Sequence, residues 1–286
     1  MAPKPETLAQ RITRRARRLI PPRAFRIVRD RCRGRGIEVG GPSAVFQRWN
    51  LWPLYPVARA LDNYNFARRT IWSATDGSPS SLYDHEFVGE AAHMLEIPSA
   101  AYDFLLASHV LEHMANPLKA LQTWRRVVRP GGLILLVVPH RDGTFDHQRP
   151  ITTLDHILKD FERNVAEHDD THVQEILALH DLRLDPGAGT REAFLTRAIN
   201  NIEHRSLHHH VFDTELALKL VDSAGLRIQY LDVERPFHIC VGCFTASATD
   251  PEDSCNAALA NAHYWSPLAS WRQRALFRSD RRLGDE

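Results

Sequence analysis

The feature that most constrains this chain is a short apolar strand that ends in an acid and two glycines, residues 35–43 (RGIEVGGPS). Its β-branched residues favour a strand buried in a sheet. Gly40 and Gly41 permit positive φ and let the backbone approach a ligand closely. Ligands of open parallel sheets bind outside the carboxyl ends of the strands, where Glu38 would lie. The stretch therefore predicts either the first strand and ligand-binding turn of an α/β domain or a turn without a ligand.

Further strand patterns follow this turn in the order expected of such a domain. Residues 56–62 (PVARALD) predict a second strand that ends in Asp62, roughly 20 residues on, the interval typical of an acid that binds ribose hydroxyls. The next predicted elements are a third strand at 85–88 before Gly89-Glu90-Ala91, a fourth strand at 102–108, a helix at 109–113, a helix capped by Asn116-Pro117, and a fifth strand at 133–138 after Gly131-Gly132.

The segments EVGGPS, ALD, GEA, YDFLLASHVLEH and VVRPGGLILLVVP, in this order, resemble the class I S-adenosylmethionine (SAM)-dependent methyltransferases. The resemblance covers about residues 37–139, and a helix and two strands near 216–244 fit the end of the same fold. It implies a Rossmann-like, doubly wound α/β sheet of seven strands with an antiparallel C-terminal hairpin. The family's turn usually carries more glycines; here Pro42 and Ser43 occupy the later positions, and proline removes a backbone donor.

The resemblance also implies that SAM is the cofactor and indicates which residues bind it. Glu38, Gly40 and Gly41 would hold the methionine portion, and Asp62 would bind the ribose hydroxyls. Further contacts are expected from Glu90 and Ala91 at the adenine, from Ser108 and His109 at the carboxylate side, and from Pro42, Ser43 and Asn63.

Methyl transfer to a hydroxyl requires alignment of acceptor, methyl and sulfur, and a group that removes a proton. Histidine is the usual base near neutral pH. His140 follows the fifth strand and His147 comes soon after it, so these two are the predicted bases, unless they only shape the pocket. His113 belongs to a stretch shared by methyltransferases with different acceptors, which favours a structural role. The predicted reaction is O-methylation of a small molecule or saccharide, with N-methylation left open.

Residues 140–210 are too long for a simple crossover connection and predict a largely helical insertion on the substrate side. The insertion is rich in histidine. On a helix, His168 and His172 would share a face and could bind one ion, but no third ligand can be assigned, so no metal is predicted. The run His208-His209-His210 indicates either an active-site rim or a partly buried loop.

The predicted organisation is a basic N-terminal extension (1–33), a methyltransferase domain (34–249) and a C-terminal tail (250–286). The arginine-rich extension favours a helix packed on the domain edge, a peripheral contact with an anionic membrane, or a lid over the cofactor. The aromatic tail would pack on the domain or on a second subunit. Cys240 and Cys243 form a C-x-x-C on a predicted strand, where their side chains would face opposite sides, so structural thiols are favoured over a metal or redox role.

Composition excludes few functions. The 286-residue chain has a net charge of +1, with 43% hydrophobic and 25% charged residues, so bulk charge indicates no nucleic-acid partner. No apolar run is long enough to cross a bilayer, and four cysteines are too few for a disulfide framework, which favours a cytoplasmic protein. Two alternatives stay open: a nicotinamide-dependent oxidoreductase, although G-x-G-x-x-G is missing after the first strand, and a non-catalytic methyltransferase-like binding protein.

Overall fold

The computed structural model describes residues 23–48, 50–71, 82–246, 265–268 and 273–276. The strands are β1 Arg35–Val39, β2 Ala60–Asn65, β3 Glu86–Val88, β4 Tyr102–Ser108, β5 Val128–Pro139, β6 Arg227–Glu234, β7 His238–Phe244 and β8 Gln273–Leu276. The α-helices are α1 Arg23–Arg31, α2 Pro117–Val127, α3 Leu154–Glu162, α4 Val173–Leu179, α5 Arg191–Ile199, α6 Asn201–His204 and α7 Thr214–Ser223.

The strands form one sheet with the order β3-β2-β1-β4-β5-β7-β6-β8. Strands β1 to β5 pair in parallel, whereas β7 is antiparallel to both β5 and β6. The predicted doubly wound sheet with an antiparallel hairpin is therefore confirmed. An eighth strand from the C-terminal tail adds to the edge at β6, with Tyr230 opposite Leu276. Strand order reverses between β1 and β4, which places a crevice at the carboxyl ends of these strands.

The sheet is buried on both faces because its central strands β4 and β5 contain runs of consecutive apolar residues, 104–107 and 133–138, rather than alternating ones. Along β4, Phe104 and Leu106 pack in one layer, while Leu105 and Ala107 pack in the other. The first layer also contains Phe46, Trp52 and Leu54 from the β1–β2 connection, so this aromatic segment covers one face of the sheet. Cys240 and Cys243 lie in different layers, as the strand periodicity predicts.

Helix α2 illustrates how local sequence sets an element. The Asn116 side chain accepts a hydrogen bond from the backbone N–H of Lys119, and Pro117 occupies the first turn, where no intrahelical donor is needed. Leu118, Leu121 and Trp124 recur at helical spacing and are buried against the sheet. The predicted start of this helix and the face it buries are both confirmed.

Some predicted boundaries are wrong. Strand β2 spans Ala60–Asn65 rather than 56–62, since Tyr55–Val57 forms a 3₁₀ turn. Residues 109–113 are not a helix: His109 has a φ of +55°, and only Leu111–His113 makes a 3₁₀ turn. Residues 128–132 belong to β5, and the register shift between Tyr102 and Phe104 accommodates them.

The connection between β5 and α7 contains helices α3 to α6, in agreement with a largely helical insertion. Part of it has a small core of its own, formed by Ile176, Ala188, Phe194, Ala198 and Leu207. The insertion contributes cavity-lining residues such as Arg205 and His208, so it forms one wall of the crevice above the sheet.

Candidate functional site

A cavity of about 560 Å³ opens at the carboxyl ends of the parallel strands. The residues at or just after four of these ends line it: Gly40 after β1, Asn65 at the end of β2, Ser108 at the end of β4 and Pro139 at the end of β5. The volume lies within the range of roughly 300–1,000 Å³ typical of small-molecule sites. Its position is the crevice in which open α/β sheets bind their ligands.

The turn after β1 requires glycine at its first position. Gly40 has a φ of +74°, and a Cβ there would lie 2.6 Å from Cγ2 of Val110. Its N–H donates to the carbonyl of Tyr64 at 2.9 Å, which anchors the turn to β2. The turn therefore presents bare backbone to the cavity, which Pro42 and Ser43 also line.

Glu38 is fully buried and supports this turn from behind instead of lining the cavity. Its carboxylate accepts hydrogen bonds from the N–H of Ser43 at 3.1 Å and from the hydroxyls of Tyr83 at 2.7 Å and Tyr55 at 2.8 Å. Burial raises the pKa of Glu38 to about 7, although these hydrogen bonds oppose the rise. The structure thus gives Glu38 a supporting position rather than the expected contact with the methionine portion.

Asp62 lies in the middle of β2, three residues before the strand ends, and does not line the cavity. Its buried carboxylate accepts hydrogen bonds from Arg35 at 2.8 Å and Tyr102 at 2.7 Å. Burial favours its neutral form, but these partners outweigh burial and hold the pKa of Asp62 below its ordinary value. The side chain at the cavity end of β2 is Asn65. The predicted end of β2 was misplaced, so Asp62 was expected at the position that Asn65 occupies.

The predicted contacts at the other strand ends do reach the cavity: Glu90, Ala91, Ser108 and His109 line it, whereas Gly41 and Asn63 do not. Asn63 is buried, and its Nδ2 donates to the carbonyl of Gly41 at 3.3 Å, so both belong to the support of the turn.

A charged link that the sequence did not reveal crosses from the insertion to the sheet. Arg205 pairs with Glu90 at 2.5 Å and with Glu167 at 2.8 Å, and its guanidinium lies 5.7 Å from the ring of Phe66. These side chains approach one another only in the folded chain, so no local signal could have identified the link. It connects the insertion to Glu90, a residue predicted to contact the cofactor.

The wall of the cavity that the insertion forms carries a histidine–carboxylate pair. His208 lines the cavity, and its Nδ1 forms a short hydrogen bond with the buried carboxylate of Asp146. Arg149 donates to the same carboxylate at 2.9 Å. Burial opposes protonation of His208, but Asp146 outweighs it and raises the pKa of His208 above its ordinary value. Burial likewise opposes ionisation of Asp146, yet His208 and Arg149 lower its pKa to about 2.

Glu112 and His113 adjoin this pair. One ligand atom of each of Glu112, His113 and His208 lies within 4.8 Å of the others. Glu112 is fully buried; its Oε1 lies 3.2 Å from Nδ1 of His109, and none of the described residues donates a hydrogen bond to its Oε2. Burial raises its pKa, but the surrounding histidines outweigh burial and lower it overall. The arrangement provides an ionised carboxylate and a carboxylate-bound imidazole on the same wall.

The central part of the chain matches a known protein family. Residues 60–136 match the family model described as "Methyltransferase domain". This segment of the chain therefore resembles a methyltransferase domain. The predicted class I SAM-dependent methyltransferase family, its fold and its cofactor are confirmed by this match together with the strand order of the sheet. The match also favours the methyltransferase prediction over a nicotinamide-dependent oxidoreductase.

Solved structures similar to this methyltransferase include the CurJ carbon methyltransferase, with 12% identity, a TM-score of 0.42, and coverage of 85% of this chain and 54% of that one. This chain thus spans about half the length of that protein. A SAM-dependent methyltransferase from Aquifex aeolicus has 11% identity, a TM-score of 0.43 and coverage of 80% and 93%. One from Mesorhizobium loti has 14% identity, a TM-score of 0.44 and coverage of 77% and 95%. Comparison with curated proteins gives no significant sequence match.

The two histidines predicted as bases lie outside the methyltransferase cavity. His140 is buried, and its Nδ1 accepts a hydrogen bond from the N–H of Asp142 at 3.1 Å. Nε2 of His147 lies 3.0 Å from a carboxylate oxygen of Asp181. Both follow β5 closely in sequence, but neither lines the cavity, whereas Gly143, Thr144 and Phe145 between them do. His208, from the far end of the insertion, lines the cavity instead.

The arrangement in which His168 and His172 share a helical face is not formed. His172 immediately precedes α4, and His168 lies outside any helix of the described chain, so the two do not share a helical face. The predicted N-terminal helix before residue 23 and most of the C-terminal tail lie outside the described residues. Among the helices that are described, none is long and apolar enough to span a membrane.

Proposed function

We propose that this protein transfers the methyl group of SAM to a hydroxyl oxygen of a small molecule or saccharide, and that His208 removes the hydroxyl proton. One observation carries the proposal: His208 lines the cavity while its Nδ1 is held by the buried carboxylate of Asp146. A carboxylate on one imidazole nitrogen orients the ring and stabilises the imidazolium that forms when the other nitrogen accepts a proton.

The cofactor occupies the sheet side of the cavity in this proposal. Gly40, Pro42 and Ser43 contact its methionine portion, and Asn65, at the end of β2, takes the ribose side in place of Asp62. Glu90 and Ala91 contact the adenine, with Ser108 and His109 toward the carboxylate. All of these residues except Asp62 line the cavity, which supports the assignment.

The acceptor occupies the insertion side. Phe145 and Phe237 line the cavity there together with Glu112 and His208, so aromatic surface lies beside hydrogen-bonding groups. Such a wall suits the mixed apolar and hydroxylated faces of a sugar or glycoside. Oε2 of Glu112, which is buried without a donor, is positioned to accept a hydrogen bond from a second hydroxyl of the acceptor.

Methyl transfer leaves the proton and the positive charge on His208. The hydroxyl oxygen forms a bond to the methyl carbon while the carbon–sulfur bond breaks, and the sulfonium becomes a neutral thioether. The hydroxyl proton passes to Nε2 of His208, so the positive charge lost at sulfur appears on the imidazole beside Asp146. Burial opposes protonation of His208, but Asp146 outweighs it and raises the pKa of His208, so the fraction of neutral base, and with it the rate, should increase as pH rises through that pKa.

The first test is titration calorimetry with S-adenosylhomocysteine, with NADH as control. Binding of S-adenosylhomocysteine alone is expected. Formation of S-adenosylhomocysteine from SAM is then measured over a panel of glycosides, phenols and amines. Turnover with amines but not with hydroxyl compounds would overturn the O-methylation assignment.

The role of His208 is tested with the acceptor found by this screen. His208→Gln should reduce turnover by roughly 10²–10⁴-fold, the usual contribution of a general base, with unchanged affinity for S-adenosylhomocysteine. His147→Gln is the matched control, because His147 also pairs with an aspartate but lies outside the cavity lining. Equal losses in both variants would remove His208 as the base.

A further inference from the structure

A second cluster of histidines lies outside the cavity. His156 on α3, His172 immediately before α4 and His210 in the segment before α7 come from three separate parts of the insertion. One ring nitrogen of each lies within 4.8 Å of the others. None of the three lines the cavity. Their approach to one another is therefore not explained by binding of the cofactor or acceptor.

The spacing of the nitrogens fits a metal ion. Nε2 of His156 lies 3.1 Å from Nε2 of His172. In a tetrahedral zinc site with Zn–N distances of about 2.0–2.1 Å, neighbouring ligand atoms are about 3.3 Å apart. The ring centroid of His210 lies 5.8 Å from that of His156 and 5.8 Å from that of His172, so the third imidazole belongs to the same cluster.

A carboxylate completes the group. Asp160 lies one turn after His156 on α3, and its Oδ2 is 3.2 Å from Nε2 of His156 and 3.9 Å from Nε2 of His210. Among the described residues, none donates a hydrogen bond to this buried oxygen, although His156 lies at ion-pair distance. A buried carboxylate oxygen that accepts no hydrogen bond is costly, and coordination of a cation would satisfy it.

The protein also holds the ring of His210 in place. His210 is nearly fully buried; its Nε2 lies 3.3 Å from the carbonyl of Ala115, and its Nδ1 has no hydrogen-bond partner among the described residues. A carbonyl that accepts from one ring nitrogen fixes the ring and leaves the other nitrogen for the ion, as partners around metal-binding histidines do.

We propose that His156, His172, His210 and Asp160 bind one zinc ion, which ties helix α3, the start of α4 and the segment before α7 together. Four protein ligands leave no open position, which is the arrangement of a structural site. The ion would hold the insertion against the sheet two residues from His208, without taking part in the reaction. The assignment is independent of the proposed acceptor and base.

The test uses the full chain after treatment with EDTA. Zinc binding is measured by competition with a chromophoric chelator, and bound metal by elemental analysis. One zinc per chain is expected, together with a higher Tm on addition of zinc. Cobalt in place of zinc should give the visible absorption of a tetrahedral ion. A chain that stays free of zinc and shows no change in Tm would overturn the proposal.

Half-exposed ligands provide the informative variants, because substitution of the buried His210 endangers folding. His156→Ala and His172→Ala should each weaken zinc binding by more than the roughly 10–100-fold typical of losing an outer partner. His168→Ala removes an exposed histidine of the same insertion and should bind zinc like the wild type. Equal binding by all of these variants, or loss of binding only in His113→Ala, would refute the site; the second result would place the ion at Glu112, His113 and His208.

Discussion

Substitution of Asp146 by Asn removes the charge that holds His208 while preserving the size of the side chain. Asp146 is buried, and its pKa of about 2 compares with an ordinary value of 3.8. Because one pKa unit corresponds to about 1.4 kcal/mol, the ionised form contributes about 2 kcal/mol to the free energy of unfolding at neutral pH. Asp146→Asn should lose this amount, since the amide oxygen can still accept hydrogen bonds from Arg149 and His208.

The pH dependence has a definite sign. The pKa of Asp146 is lower in the folded state, so its stabilisation is present above about pH 4 and is lost as pH falls through about pH 2. The pKa of His208 is higher in the folded state, so its stabilisation is present below its unfolded pKa and is lost as pH rises through the folded value. Both contributions should be missing from Asp146→Asn.

Two measurements check this expectation. Urea unfolding at pH 7 gives the change in free energy. NMR titration of the histidine ring nitrogens gives the pKa of His208, which should fall in Asp146→Asn, because burial and Arg149 are then opposed only by the smaller effect of Glu112. Asp181→Asn is the control, because it breaks a pair with His147 outside the cavity lining and should leave the pKa of His208 unchanged. A raised His208 pKa that persists in Asp146→Asn would refute the pairing and its positioning role.

Three further expectations concern strands β1 and β2 and the glycine turn after β1. Gly40→Ala should cost about 1–2 kcal/mol of stability and weaken S-adenosylhomocysteine binding in calorimetry, because its φ is positive and its Cβ would meet Val110. Gly187→Ala should match the wild type, because Gly187 is not among the glycines with positive φ and its Cβ would meet Asp185 only at van der Waals distance. Asp62→Asn should lower the free energy of unfolding by about 1–3 kcal/mol with unchanged cofactor affinity, so a large loss of affinity would contradict its placement outside the cavity. Glu38→Gln should be more stable than the wild type by about 3 kcal/mol above pH 7, because burial raises the pKa of Glu38 to about 7 from 4.5 and so disfavours ionisation in the folded state. In urea unfolding, this advantage should vanish as pH falls toward 4.5. An advantage that does not depend on pH would contradict this reasoning.

Much of the sheet could be predicted because its signals are local. The apolar run at 102–108 predicts β4 without error, and Asn116-Pro117 predicts the start of α2 because capping depends on neighbouring residues. Strand β2 was displaced because Pro56 and Val57 have strand-like character in a 3₁₀ turn. An error of three residues there was enough to assign Asp62 to the cavity in place of Asn65.

Some residues of the candidate site could be predicted from local sequence, and others depend on packing. Gly40, Glu90, Ser108 and His109 could be identified because each lies at a strand end, and the carboxyl ends of parallel strands meet at one edge of the sheet. Glu38 was identified by position, but whether its side chain faces a ligand or Tyr55 and Tyr83 depends on packing.

The sequence by itself determined the parallel sheet, the glycine turn and the methyltransferase family, because periodicity, capping and short motifs act over a few residues. Only the tertiary structure decided which histidines work together. Asp146 and His208 are 62 residues apart, and the cluster of His156, His172 and His210 draws on three segments of the insertion. Such contacts depend on how the insertion folds over the sheet, and spacing along the chain carries no information about distances created by that packing.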